Sequence, residues 1–324
     1  SNTESHHLDC LSCFSQPCGD LECRLVGLNQ APRNNCQISM HFYLIPNAKT
    51  AITWSEKCAC TAVGYWCTNS LRHTNIEGDK RLFLQNEGYN FNIVHLLGLI
   101  EAGAVETLIV TTRDPISRML SSYLNKFVLY GERPLQKRND LEGFSQTFLD
   151  ELIDHKSKAF KKKSGIIRKQ PFLKKNDDYG LSLKDFIRFI LRNKANPQKL
   201  NPHFRPQIID KKVLKNLLHA KSSGIATFQL RVEYFNQDLQ QINNHLKFNY
   251  IPKKINETKP PDHAWEKKDD IQLTLLNSNI LIKNQHIPSL VAAKRLLQNK
   301  PGLERKFKSF FALDYELIES FLAT

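Results

Sequence analysis

The stretch Val110-Thr-Thr-Arg-Asp-Pro-Ile-Ser-Arg-Met-Leu-Ser-Ser-Tyr-Leu-Asn-Lys-Phe127 decides how this chain is read. Leu108, Ile109 and Val110 form an apolar run that predicts a buried strand, which leads straight into a capped helix. Asp114 suits the N-cap and Pro115 suits the first helical position, where a missing N–H costs nothing. Ile116, Met119, Leu120, Tyr123, Leu124 and Phe127 recur at helical spacing, so one face packs on a core. Arg118, Ser121 and Asn125 fall on the opposite, polar face. Arg113 sits at the strand's C-terminal end, with Ser121 two turns along the helix. An Arg at a strand end, a helix N-terminus and a hydroxyl on the same side make a corner that binds phosphate.

Upstream lies a second strand–turn–helix unit. Ala51-Ile-Thr-Trp-Ser55 predicts a strand, Glu56-Lys-Cys-Ala-Cys-Thr61 a tight turn of small residues, and Ala62 to Leu71 a helix. Small side chains let backbone N–H groups approach an anion, and the helix N-terminus adds favourable partial charge. Lys57 supplies a mobile positive charge. No Gly-x-x-x-x-Gly-Lys-Ser/Thr sequence occurs, so this is not a Walker A loop.

Together the two units resemble sulfotransferases that use 3′-phosphoadenosine-5′-phosphosulfate (PAPS). Arg-Asp-Pro-x-x-Arg-x-x-Ser, matched by Arg113, Arg118 and Ser121, is similar to their 3′-phosphate motif. The turn resembles the 5′-phosphosulfate loop of the carbohydrate (Golgi-type, family 2) branch, typically Pro-Lys-x-Ala-Cys-Thr. Lys57, Ala59, Cys60 and Thr61 match it, while Glu56 replaces the usual Pro. The resemblance implies that Lys57, Cys58, Ala59, Cys60, Thr61 and Ala62 surround the donor's phosphosulfate. It implies that Arg113, Arg118 and Ser121 hold the 3′-phosphate.

Weaker likenesses continue from about residue 41 to the end of the chain. Ser182–Leu191 is similar to the family's helix after a variable insertion. Asn201-Pro-His-Phe-Arg-Pro-Gln207 resembles a His-x-x-Pro-Gln element, and Phe228–Asp238 a strand–Glu–helix unit. Tyr250–Thr258 resembles a short loop carrying an Asn, and Phe310–Glu316 the C-terminal helix. In this frame the candidate general bases are His95 and His203, since an imidazole titrates near working pH. The alternative for each is a hydrogen-bonded structural histidine. Arg205 and Glu233 are candidate substrate contacts, although Glu233 equally suits a backbone cap. Glu56 beside Lys57 is positioned to weaken the donor site by pairing with it.

Strands alternating with helices predict an α/β fold, its parallel sheet covered on both faces. The resemblance makes this a P-loop-like three-layer fold whose ligands sit beyond the carboxyl ends of the strands. Met40–Ile45, Ala51–Trp54, Asn92–Val94, Thr107–Val110 and Ile225–Leu230 are the strand candidates. Residues 1–38 form a Cys-rich extension, and residues 39–324 the main domain. Residues 131–180 within it form a basic, partly helical insertion.

The chain's 324 residues carry 46 Lys and Arg against 32 Asp and Glu, a net charge of +14. That balance implies anionic partners. Lys156 to Lys175 is dense in Lys and Arg, with a smaller group at Lys253, Lys254 and Lys259. Such runs read either as a solvated surface or as a rim that attracts an acidic glycan. No helix-turn-helix, zinc-finger or RNA-recognition pattern points to nucleic acid. All eight cysteines lie at or before Cys67. Cys10, Cys13, Cys18, Cys23 and Cys36 are open to three readings: a disulfide-stapled cap, free thiols or a zinc site. Cys58 and Cys60 read as small loop residues, and no metal is required.

No run reaches the roughly 18 apolar residues that span a bilayer. The opening Ser1-Asn-Thr-Glu-Ser-His-His lacks a charged-then-apolar signal pattern. The compartment, cytoplasmic or secretory-pathway lumen, stays open, as does oligomeric state. A single Asn-x-Thr sequon lies at Asn256. The expected activity is sulfuryl transfer from PAPS to a hydroxyl of an acidic or neutral glycan, leaving 3′-phosphoadenosine-5′-phosphate (PAP). Alternatives are a sulfotransferase for a peptide tyrosine, lipid or small metabolite, and a non-catalytic polyanion-binding module on the same fold.

Overall fold

Alternation along the strands builds the molecule. In a computed structural model, which describes residues 40–71, 78–123, 183–200, 202–252 and 290–322, five strands form one sheet. They are β1 (His41–Ile45), β2 (Thr50–Trp54), β3 (Asn90–Asn92), β4 (Thr107–Thr112) and β5 (Ala226–Arg231), in the order β3-β1-β2-β4-β5. Successive strand side chains point to opposite faces. Phe42, Leu44, Ala51, Leu108 and Val110 therefore line one face, and Tyr43, Ile45, Ile52, Ile109 and Leu230 the other.

Helices cover both faces. The first face packs on α3 (Leu96–Glu101), α6 (Lys211–Ser222) and α10 (Ala312–Leu322), through Leu96, Leu99, Leu214, Leu217, Leu317 and Phe321. The second packs on α1 (Cys60–Ser70), α2 (Lys80–Asn86) and α7 (Phe235–Leu246), through Val63, Trp66, Cys67, Leu84, Leu239 and Ile242. A separate apolar cluster joins α4 (Pro115–Tyr123), α5 (Leu183–Arg192), α8 (Leu290–Gln298) and α9 (Pro301–Phe310).

The expected parallel sheet is mixed. β2, β4 and β5 are mutually parallel, but β1 pairs antiparallel with both β2 and β3. The turn at Pro46–Ala48 is too short for a crossover and forces a hairpin between β1 and β2. Reversal of β1 brings His41 opposite Trp54, at the same edge as the C-terminal ends of β2 and β4.

Two further expectations move. The strand expected at Asn92–Val94 lies at Asn90–Asn92, because the Asn92 side chain accepts the Val94 N–H at 3.1 Å and starts a 3-10 turn there. The expected single helix across Phe310–Glu316 is broken between α9 and α10. Phe310 and Phe311 are both buried and stack edge-on at 4.8 Å, which a straight helix, turning about 100° per residue, does not allow on one face. The Cys-rich segment, the 131–180 insertion, both lysine groups, Asn125 and Asn256 lie outside the described residues. No described helix is long and apolar enough to cross a membrane.

Candidate active site

The C-terminal edge of β2 and β4 carries both predicted motifs. After β2 the chain turns through residues 55–59 and enters α1. Lys57 has φ 64° and Ala59 φ 53°, both left-handed. Non-glycine residues occupy that region rarely and at a cost, so the surrounding structure must hold the turn in place. Ala59 is the N-cap of α1 and offers no side-chain cap. The amides of Cys60, Thr61 and Ala62 therefore open α1 without an acceptor inside the helix. They add the positive end of the helix to the turn. Cys58 and Cys60 are buried; burial pushes the Cys58 thiol up to about 11 and raises that of Cys60. Both stay protonated, as small loop residues should.

The turn is anchored to the second motif. Arg113, just past β4, donates from Nη1 to the Lys57 carbonyl at 2.7 Å. Its backbone N–H donates to Gln207 Oε1 at 3.2 Å, and Gln207 Nε2 returns to the Thr111 carbonyl at 3.2 Å. Arg113 Nε is buried with no hydrogen-bond partner among the described residues. Burial lowers the Arg113 pKa, an effect opposed by nearby Cys58 and Glu233. An arginine remains charged under any ordinary shift. Asp114 caps α4 as expected, its carboxylate accepting from the Ser117 N–H and hydroxyl at 2.8 Å each. The Asp114 N–H in turn donates to Glu233 Oε1 at 3.2 Å, so Glu233 serves as a backbone cap.

Arg118 corrects the predicted polar face. It is 2% exposed, and its guanidinium donates to three carbonyls: Glu56 at 3.0 Å, Pro202 at 3.1 Å and Arg205. Helical spacing places it beside Ser121, but the 202–208 segment folds over it. Ser121 is half-buried. The next residue, Ser122, is buried and donates to the His203 carbonyl.

The 202–208 segment is fixed from behind by α10. The fully buried Asp314 carboxylate accepts from the N–H groups of Gln207 and Ile208 at 3.0 and 2.9 Å. Burial raises the Asp314 pKa to about 6, against the pull of Arg118 and those two N–H groups.

His203 is brought to the turn; His95 is not. His203 Nε2 lies 3.6 Å from Glu56 Oε2. His95 sits in the 3-10 turn after β3, the edge strand, and no hydrogen bond or ion pair ties it to the turn. Burial lowers its pKa. Arg205 is buried; desolvation and Arg118 lower its pKa, while Glu56 raises it.

Three contributors escaped sequence reasoning. His41 stacks on Trp54 at 5.2 Å, and burial, then Arg205, lowers its pKa. Only the β1–β2 register places it here, and nothing local in the sequence signals that. Arg81 and Asp314 come from distant helices. Among the described residues no group of three or more His, Cys, Asp or Glu side chains is placed to hold a metal ion.

The arrangement suits an anion with two separated charged groups. One fits the open amides of α1 beside Lys57, and the other the corner at half-buried Arg113, whose Nε is buried. The sulfotransferase family model matches residues 56–270, which is more than half of the chain and spans the turn, Arg113, His203 and Glu233. No curated protein and no solved structure matches the chain.

Proposed function

The chain belongs to the sulfotransferase family and has that family's type of catalytic activity, and we propose that it uses PAPS to sulfate a hydroxyl of a carbohydrate acceptor. The donor supplies a sulfuryl group. The acceptor oxygen bonds to sulfur as the bond from sulfur to the 5′-phosphate oxygen breaks, and the electron pair stays on that phosphate.

The observation that carries the reading is the hydrogen bond from Arg113 to the Lys57 carbonyl, which fixes two anion-binding elements against each other. The buried Nε of Arg113, without a partner among the described residues, fits a 3′-phosphate, with Ser121 adding a hydroxyl from α4, the helix that follows. Lys57 and the first amides of α1 stabilise the charge that builds on the leaving 5′-phosphate. Arg118 acts at one remove, holding the turn and the 202–208 segment by their carbonyls. His203 serves as general base, accepting the acceptor hydroxyl's proton. Its position beside the turn favours it over His95. The carbohydrate acceptor is supported by the branch likeness of the turn and by the net charge of +14.

Calorimetric titration with PAP beside 5′-AMP tests the donor site. Tight PAP binding that is lost without the 3′-phosphate, and lost in Arg113→Ala, supports it. Equal or absent binding of both nucleotides by a folded sample rejects it, leaving a polyanion-binding scaffold.

A further inference from the structure

We propose that Glu56, which stands where the family's loop usually has Pro, is a positioning residue that orients His203 and stabilises its protonated form. This rests on the reading of His203 as the general base.

Glu56 is held by its backbone and by its side chain. Its own backbone carbonyl accepts from Arg118 Nε at 3.0 Å. Its Oε2 lies 3.6 Å from His203 Nε2, 3.8 Å from Arg81 Nη1 and 3.6 Å from Cys60 Sγ, whose thiol donates to it. Arg81 is fixed in turn by a fork to Asp79, with Nε to Oδ1 at 3.2 Å and Nη2 to Oδ2 at 2.9 Å. That fork leaves Nη1 facing Glu56 and Cys60. The stem of Arg81 reaches this point by crossing α1 at Gly64, where a Cβ would lie 3.2 Å from Arg81 Cγ. A series Asp79–Arg81–Glu56–His203 thus runs from α2 to the turn beside Lys57. Glu56 and His203 side chains are 24% and 21% exposed, so solvent screens the pair only in part.

Charge arithmetic gives Glu56 its role. The groups facing the carboxylate are Arg81, Cys60 and His203, with Arg205 and Tyr43 also within electrostatic reach. Of these only Arg81 and Arg205 are permanently charged, and a nearby cation opposes a proton on an imidazole. Glu56, an anion 3.6 Å from Nε2, favours one. A carboxylate 3.6 Å from Nε2 favours a proton on that nitrogen, and the imidazole becomes positive when it takes the proton of the acceptor hydroxyl. The positive charge that forms is then met by an oriented anion, the role a buried Asp plays behind a catalytic histidine. Glutamate at this position therefore does more than replace a rigid residue at the start of the turn.

The test uses the full chain without nucleotide. The imidazole of His203, assigned by comparison with His203→Gln, is titrated by proton NMR in the native protein and in Glu56→Gln. The expected result is a midpoint lower by about one pH unit in Glu56→Gln, since removing an opposite charge at this range shifts a pKa by about that amount. Glu56→Asp should fall between the two. PAP affinity, measured by calorimetry, should change less than threefold. An unshifted midpoint overturns the proposal, as does a loss of PAP affinity above tenfold, which makes Glu56 a structural part of the turn. The base reading is tested separately by sulfate transfer from PAPS to unsulfated chondroitin and desulfated heparin. Transfer undiminished in His203→Gln removes His203 as base even where the titration shows the pair to be coupled.

Discussion

Arg113 donates from Nη1 to the carbonyl of Lys57 at 2.7 Å, so the residue that opens one motif holds the backbone of the other. The two lie 56 residues apart in sequence. The bond also helps keep Lys57 in its left-handed conformation.

Arg113→Ala removes this anchor together with the buried Nε that faces the proposed 3′-phosphate. A hydrogen bond to a charged group contributes about 1.5–3 kcal/mol. PAP affinity should therefore fall at least tenfold, measured by calorimetry. Arg113→Lys keeps a charge without the planar fork and should recover only part of it.

Lys57→Ala separates catalysis from folding. The Lys57 carbonyl, which binds Arg113, survives the change, so circular dichroism and melting temperature should stay close to native. Removing a cation at a developing charge lowers kcat by roughly 10²–10³. A radiolabelled sulfate-transfer assay reads that loss, and an unchanged rate argues against Lys57 at the leaving phosphate.

Arg118→Met should act on stability first. It leaves three carbonyls, those of Glu56, Pro202 and Arg205, without their guanidinium donor. Unmade buried hydrogen bonds cost about 1–3 kcal/mol each, in part recovered by relaxation. A loss of roughly 3 kcal/mol by denaturant titration is expected. A stability change near zero, with PAP binding alone weakened, shows instead that Arg118 contacts the nucleotide.

Asp314 links stability to pH. Its folded pKa of about 6 lies above the ordinary 3.8 because burial disfavours the charge. A carboxyl that binds its proton more tightly when folded adds stability below the unfolded pKa, and that gain is lost as pH rises through the folded value. Stability should thus decline between about pH 4 and 6 through this group, by about 3 kcal/mol at most. In Asp314→Asn that component of the slope should vanish in denaturant titrations across the same range. A slope equal to the native one assigns the pH dependence to other groups.

Much of the fold and of the backbone frame of the candidate site was legible locally. The Asp114–Pro115 cap, the buried run at Leu108–Val110 and the small-residue turn before α1 are set by neighbours in sequence. Steric and hydrogen-bonding rules acting over a few residues are enough to read them. Glu56 was visible as a substitution, and its closeness to Lys57 in sequence suggested a pairing there. Its contacts with Arg81 and His203 depend on α2 and on the 202–208 segment, which no local rule positions. Arg118 shows the limit most clearly. Helical periodicity put it on a polar face, because periodicity reports direction around an axis and not what packs against that direction.

The sequence by itself determined the class of the fold, the two strand–turn–helix units and their order, because each is encoded within a few neighbouring residues. Only the tertiary structure decided that β1 runs against its neighbours, and so that His41 reaches the strand ends. It also decided that Arg118 is buried under the 202–208 segment, that Asp314 braces that segment from α10, and that His203 and not His95 meets the turn. Those outcomes depend on contacts between residues up to 107 positions apart. Such contacts form only when the sheet order and the packing of helices on its two faces bring distant side chains within hydrogen-bonding range.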